Sequence, residues 1–220
     1  YALRQGFNDA AVASGDVAVN TERMVAANTE LGKQLGFNSR FSNDMNIQFI
    51  KLTKQLGISE EAAGGLAKLT KANGLEFKDV KNTVYQTTQA LSSQNGIQID
   101  QREVMEEVGK ITGQTLAMLK GNPKALTEAV VQAKLLGTTL EQTKAQAESL
   151  LNFESSIDNE LKSELLTGKE LNLENARMAA LKGDQATVAK ELANQAMDFN
   201  AFSELNVIQQ KALAESLGLS

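Results

Sequence analysis

The stretch LTKQLGISEE, residues 52–61, contains the joint around which the sequence is organised. A helical run stops at Leu56 and is followed by Gly57; Ile58 is apolar, and a new helical run starts at Ser59. A helix leaves its last carbonyl groups without partners, and a glycine in the left-handed conformation lets later amides turn back to them. A serine hydroxyl then accepts a hydrogen bond from the free amides of the next helix. The stretch therefore predicts a helix–glycine–helix joint.

Variants of this joint recur along a chain that is rich in helix-forming residues. Glycine joints are predicted at Gly36, Gly57, Gly137 and Gly218, with related stops at Gly74, Gly96 and Gly183. Two copies continue as Gly36, Phe37, Asn38 and Ser39 and as Gly218, Leu219 and Ser220. Thr139 and Gln142 have the spacing of a capping box. The pattern predicts an all-α protein with a long N-terminal heptad helix followed by a multi-helix array joined by Gly-containing caps.

The first 36 residues predict one long helix with a heptad seam. The seam residues are Leu3, Ala10, Val17, Met24 and Leu31, with Leu35 at the second core position. The rest of the second core position is mostly small and polar, so the helix needs a partner to be stable. The partner is either a second copy of the chain in a coiled coil or the chain's own helices, and the sequence leaves both open.

Helical periodicity predicts further helices along the rest of the chain. They cover residues 42–56, 59–73, 78–93, 100–111, 139–166, 172–182, 184–197 and 203–217, with another that begins at Asn122 and Pro123. A short extended piece is predicted at residues 97–100, and Gly64 and Gly65 predict a close approach of a neighbouring helix. Residues 41–59 resemble residues 202–220, which suggests an internal repeat. The predicted domains are residues 1–37, 38–121 and 122–220.

Composition and charge exclude several classes of partner. The net charge is −5 and charges of both signs are interspersed, so nucleic-acid binding is disfavoured. We find no apolar run of the ~18 to 20 residues that a membrane-spanning helix needs, and no signal peptide. The chain begins with Tyr1 rather than methionine and ends on a serine of the kind that caps a helix. We therefore expect a segment of a longer polypeptide.

The chain has no cysteine and no histidine, which removes thiolate chemistry and the commonest general base and metal ligand. We expect no cofactor, no metal site and no enzymatic activity. The candidate catalytic carboxylates are Glu60, Glu61, Glu103, Glu106 and Glu107. Acids in the first turn of a helix are favoured by its dipole, and acids on its outer face are usually solvated. An enzyme remains a third hypothesis, which requires two acids that converge in a pocket.

The segment LGISEEAAGGLAKLTKANGLEFKDV, residues 56–80, resembles the core region of phage tail tape measure proteins. Those chains contain recurring leucine–glycine–aliphatic–serine joints followed by alanine-rich helices. The alternation of such joints with long heptad-bearing helices, at residues 3–35 and 139–166, is also similar. The segment NFESSIDNELKSELLTGKELNLENARMAALKGD, residues 152–184, resembles parts of phage tail proteins.

This resemblance implies a structural function. Several copies, with a trimer favoured, would run along the tail lumen of the virion and contact tail tube or tail tip proteins. The protein would be intracellular during assembly in the host, and its helical length would set the tail length. The seam residues would face sister chains, and joints such as Gly36, Gly57 and Gly218 would let the chain be threaded. The alternative is a helical-repeat module of a larger chain that binds a protein partner.

Overall fold

A computed structural model of the chain describes residues 2–36, 40–196 and 199–219, and all of the regular structure in these ranges is helical. The α-helices are α1 Ala2–Ser14, α2 Thr21–Leu35, α3 Asn43–Ile50, α4 Glu60–Asn73, α5 Phe77–Asn95, α6 Gln101–Lys110, α7 Gly113–Met118, α8 Pro123–Leu135, α9 Leu140–Leu151, α10 Phe153–Thr167, α11 Glu174–Lys182, α12 Gln185–Gln195, α13 Phe199–Glu204 and α14 Val207–Ser216. The chain divides into two compact units, unit 1 Tyr1–Thr127 and unit 2 Glu128–Ser220. The predicted all-α class is confirmed.

The prediction of one continuous N-terminal helix is wrong, because α1 and α2 are separate helices. The Ser14 hydroxyl donates back to the carbonyl of Ala11 at 2.7 Å and closes the last turn of α1. The Asp16 carboxylate then accepts from the Ala18 amide at 2.9 Å, which forms a turn. Asn20 caps the first turn of α2. Local side-chain bonds to the backbone therefore replace the helix that the heptads predicted.

In unit 1, α2 lies at the centre of the N-terminal half. It packs against α1, α3 and α4, and α4 in turn packs against α5 and α6. The largest fully buried side chains of this unit are Phe7, Met24, Leu31, Leu52, Leu66, Val80 and Leu126. Helices α1 and α2, which contain the predicted heptads, thus share a core with the helices that follow them in the chain.

The joint at residues 52–61 is reached through a wide turn. Lys51–Gln55 extends α3 as a π-helical turn. Gly57, two positions after Gln55, has a φ of 67°. The Ile58 amide donates to the carbonyl of Leu52 at 2.9 Å, and the Ile58 side chain is buried. The Ser59 hydroxyl then caps α4. Left-handed backbone of this kind suits glycine because it lacks a Cβ.

The other predicted joints have the same backbone conformation at the glycine but differ in the packing and capping of the next residues. Gly36, Gly137 and Gly218 have φ of 76°, 77° and 69°. Gly137 precedes the capping box of Thr139 and Gln142, which is confirmed. Leu219 is half exposed, whereas Ile58 is buried, so the two joints differ in packing. Phe37, Asn38, Ser39 and Ser220 lie outside the described residues.

The predicted helix over residues 139–166 is also wrong, because Asn152 divides it into α9 and α10. Asn152 has ψ of 82°, its amide donates to the carbonyl of Ser149, and its carbonyl accepts from the Ser156 amide. One residue therefore ends the first helix and begins the second. The two helices then pack differently: α9 contacts α11 and α12, and α10 contacts α14.

Two further boundaries differ from the predictions. The last predicted helix is divided into α13 and α14, since Asn206 and Gln209 form a capping box that starts a new helix. Ser203 consequently lies inside α13, while its counterpart Ser42 caps α3, so the two ends of the suggested repeat differ. Residues 97–100 are not a strand, and α7 was not predicted. The start of α8 is confirmed, with the Asn122 side chain accepting from the Lys124 and Ala125 amides.

Unit 2 is built on one apolar cluster between α9, α11, α12 and α14. The buried members are Ala147, Leu150, Leu171, Leu173, Ala176, Ala179, Ala180, Val188, Leu192, Leu213 and Leu217. The side chains that α10 buries are Ser156 and Ser163, so this helix adds only small side chains to the interior. The large apolar side chains of α10 therefore lie outside this buried cluster.

Candidate functional site

The six predicted seam residues do not form one surface in this fold. Met24 and Leu31 are fully buried inside unit 1, whereas Val17 is 99% exposed in the turn between α1 and α2. Ala10 and Leu35 are half-buried, and the side chain of Leu3 lies outside the described part of the chain. The chain's own helices thus cover the centre of the seam, and association between copies stays a prediction.

The candidate carboxylates are placed on helix surfaces. Glu60, Glu61 and Glu103 are exposed. Glu106 accepts from the Ser59 amide at 2.8 Å and pairs with the Lys110 ammonium at 2.7 Å. Burial alone would raise the pKa of Glu106, but these hydrogen bonds outweigh it and hold the pKa below its ordinary value of 4.5. Glu106 therefore connects the start of α4 to α6.

Within the described ranges, no group of three or more acidic, cysteine or histidine residues is placed to hold a metal ion. None of the described helices is long and apolar enough to cross a membrane.

Helices α4 and α6 cross closely through glycines. A Cβ on Gly65 would lie 1.7 Å from the carbonyl oxygen of Gly109, and a Cβ on Gly109 would lie 2.2 Å from that of Ala62. Backbone thus meets backbone, which only glycine permits. The predicted close approach at Gly64 and Gly65 is confirmed, and α4 runs through both residues without a break.

A stripe of large apolar side chains is exposed along α10 in unit 2. We call Phe153, Ile157, Leu161 and Leu165 the α10 stripe; their exposed fractions rise from 43% at Phe153 to 87% at Leu165. Residues four apart lie on one face of a helix, so the stripe runs the length of α10. This arrangement is the reverse of an ordinary surface helix, because α10 buries serines and exposes its apolar face.

The N-terminal half of the α10 stripe forms one wall of an open groove of about 630 Å³. Phe153 and Ile157 belong to this wall, and Met178 and Leu181 of α11 form the opposite one. Met178 and Leu181 are themselves about half exposed, at 48% and 57%. The groove is therefore open to solvent and has apolar walls on two helices, while Glu160, Asn172, Glu174 and Arg177 also line it.

A buried ion pair holds the floor of this groove in place. The Arg177 guanidinium donates two hydrogen bonds to the Glu160 carboxylate, one of them 2.7 Å from Nη1 to Oε2. The other carboxylate oxygen, Oε1, accepts from the Leu173 amide at 3.0 Å, just before α11. Both charged side chains are nearly covered, with 11% and 13% exposed. The pair fixes α11 against α10 and keeps the groove open between them.

Exposed acids lie beside the α10 stripe and in the groove. Glu154 and Asp158 each come one position after a stripe residue, about 100° further around α10, and Glu174 lines the groove from α11. All three are exposed, and none forms an ion pair within the described part of the chain. The basic residues nearest in sequence are Lys162 and Arg177, which pair with Glu215 and Glu160. The α10 stripe and the groove are thus flanked by exposed acids.

No protein-family model, curated protein or solved structure matches the chain.

The groove was not predicted from the sequence, although its residues were. Helical spacing places Ile157, Leu161 and Leu165 in one apolar stripe of the predicted 139–166 helix, but it does not indicate whether that stripe is buried or exposed. The available signal was the pair Ser156 and Ser163, seven residues apart on the other side of α10. Small residues at that spacing suit a close helix contact, and α14 makes that contact here.

Proposed function

We propose that the chain is a non-enzymatic, structural segment of a phage tail tape measure protein, located in the tail lumen of the virion. The observation that carries this proposal is the sequence of residues 56–80, in which a glycine joint precedes an alanine-rich helix as in the core region of that family. The helical fold and the short joint through Gly57 support it, because the chain then consists of rods linked at defined points.

In the proposed tail state, several copies run along the lumen beside tail tube or tail tip proteins, with three copies favoured. Helical length then sets the tail length, and 220 residues in one continuous helix would span about 330 Å. The protein is synthesised and assembled inside the host cell before it enters the virion.

Helices α1 and α2 pack against each other as a hairpin. Contacts between the seam residues of different copies require this hairpin to open. Met24 and Leu31 are fully buried in unit 1, and exposing a buried side chain of this size costs about 1.5–3 kcal/mol. A sister copy that covers the same side chains would restore most of that free energy. The proposed state is thus an exchange of contacts within one chain for equivalent contacts between chains.

Tail length provides the direct test. We expect an in-frame duplication of the 220-residue coding segment in the encoding phage to lengthen the tail by up to about 330 Å, measured by electron microscopy. A phage with a single recoded copy is the control. Tails of unchanged length in the duplicated phage would refute the proposal.

Opening of the hairpin can be tested with a covalent staple. Thr21 Oγ1 donates to Asn8 Oδ1 at 3.1 Å, and the chain has no other thiols, so Asn8→Cys with Thr21→Cys places one disulfide between α1 and α2. We expect the reduced protein to sediment as a trimer and the oxidised protein as a monomer. Equal trimer formation in both redox states would contradict seam opening, and the reduced double variant is its own control.

A further inference from the structure

We propose that the groove between α10 and α11 is a docking site for an amphipathic helix of a partner protein with basic residues beside its apolar face. The inference goes beyond the proposed tail function and does not depend on it. It rests on three observations of unit 2: an exposed apolar stripe, a fixed groove floor and exposed, unpaired acids beside the stripe and in the groove.

The α10 stripe has the length and spacing that a partner helix would need. Phe153 and Leu165 are twelve positions apart, which is about 18 Å along a helix. A helix that lies in a groove contacts it through side chains three, four and seven positions apart, and such a ligand would meet the stripe over about three turns. Met178 and Leu181 give the same ligand a second apolar wall at the N-terminal end of the stripe.

Two more exposed apolar side chains lie near the C-terminal end of α10. Gln209 Nε2 donates to the carbonyl of Leu166 at 2.7 Å, which holds the start of α14 beside the end of α10. Val207 and Ile208, immediately before Gln209, are exposed by 78% and 68%.

The groove is formed before a ligand arrives. Glu160 binds both Arg177 and the Leu173 amide, so α10 and the start of α11 are held together by the chain itself. Preformed sites lose less conformational freedom on binding, which favours affinity. A ligand also does not need to break this pair, because its charged groups already satisfy each other.

The charge of the acids that flank the stripe and line the groove selects the partner. Glu154, Asp158 and Glu174 are exposed and form no ion pair in the described chain, so lysine or arginine beside the ligand's apolar face would complement them. A second copy of this chain would bring the same acids to the contact, and like charges across an interface oppose association. The charge pattern therefore favours a basic partner helix over self-association.

The binding test uses the full chain and two matched peptides. The first is a fluorescein-labelled, 20-residue helical peptide with leucines at positions three and four apart and lysines on both sides of them; the second has glutamate in place of lysine. We expect the lysine peptide to bind, with anisotropy reporting at least about tenfold higher affinity than for the glutamate peptide. Equal affinity for the two peptides would overturn the proposal.

Substitutions locate the site. Leu161→Ser should weaken binding of the lysine peptide at least about tenfold, whereas Val12→Ser, at a 76% exposed position of α1, should leave it unchanged. Asp158→Asn should weaken binding more than Glu22→Gln, at an exposed acid of α2. Circular dichroism melting curves establish that each variant is folded.

Two results would overturn the inference. One is an equal effect of the α10 variants and their controls, which would mean that the peptide binds by general charge attraction. The other is a sedimenting dimer of the free chain that Leu161→Ser dissociates, which would mean that a second copy covers the stripe.

Discussion

The crossing of α4 and α6 in unit 1 and helix α10 in unit 2 use small and apolar residues in opposite ways. At the crossing, Gly65 and Gly109 bring two backbones together, and Leu66 beside them is buried. On α10, Ser156 and Ser163 occupy the buried face, while Leu161 and Leu165 are exposed. In both regions the small residues mark the helix contact.

The difference teaches what decides burial in a helical chain. A small-residue face lets two helices approach closely, and apolar side chains next to it are buried only if the neighbour also covers them. In unit 1 the helices that surround α4 leave Leu66 buried, whereas in unit 2 α14 meets α10 on its serine face and leaves the α10 stripe uncovered. Periodicity thus identifies the stripe but does not determine whether it is buried.

The largest expected change in the free energy of unfolding distinguishes the α4–α6 crossing from the α10 stripe. Leu66→Ala should lower the free energy of unfolding by about 3 kcal/mol, because it leaves a cavity in a packed core. Leu161→Ala, at a half-exposed position, should lower it by less than about 1 kcal/mol. Urea denaturation followed by circular dichroism measures both. Similar losses for the two variants would contradict the contrast between the crossing and the stripe.

The crossing can be broken at its closest point. Gly65→Ala should destabilise the chain by about 2 kcal/mol, because the new Cβ meets backbone that cannot move aside. Gly6→Ala is the matched control: Gly6 is also helical, but a Cβ there meets the end of the flexible Arg40 side chain. We expect this control to be neutral or stabilising by up to ~1 kcal/mol, the helix preference of alanine over glycine. A Gly65→Ala protein as stable as the original would refute the backbone contact.

The smallest expected effect concerns the acid that links the two crossing helices. The lowered pKa of Glu106 means that its contribution to stability is complete above pH 4.5 and is lost as the pH falls through the lowered value. Glu106→Gln should therefore remove part of the stability difference between pH 6 and pH 3, about 1 kcal/mol. Glu22→Gln, at an exposed acid, is the control and should leave the pH dependence unchanged. An unaltered pH profile for Glu106→Gln would contradict the link.

The parts of the fold that obey local rules could be predicted from the sequence. Asn122 with Pro123 and Thr139 with Gln142 define helix starts through bonds to the nearest amides, so no distant contact is needed. The joint at Gly57 could be predicted for the same reason. Helix class and most helix positions result from these signals and from residue preferences.

The breaks and the groove could not be predicted, because they depend on distant partners. The sequence around Asn152 contains neither glycine nor proline, so it resembles continuous helix. The break there allows α9 to pack on α11 and α12 while α10 packs on α14. Which face of α10 meets α14 then determines whether Leu161 is buried; the spacing of Ser156 and Ser163 marks that face, but it does not identify α14 as the helix that packs there. The Arg177–Glu160 pair joins residues on different helices and has no local signature.

The shared use of one carboxylate has a consequence for the dynamics of unit 2. Because Glu160 binds both Arg177 and the amide that precedes α11, α11 cannot fray from its first turn without releasing a buried charge on α10. The two helices should therefore open as one cooperative element, with their amide protons exchanging with deuterium at a common rate. Because the first turn of α11 depends on a side chain of α10, the free energy of local opening of α11 should equal that of α10.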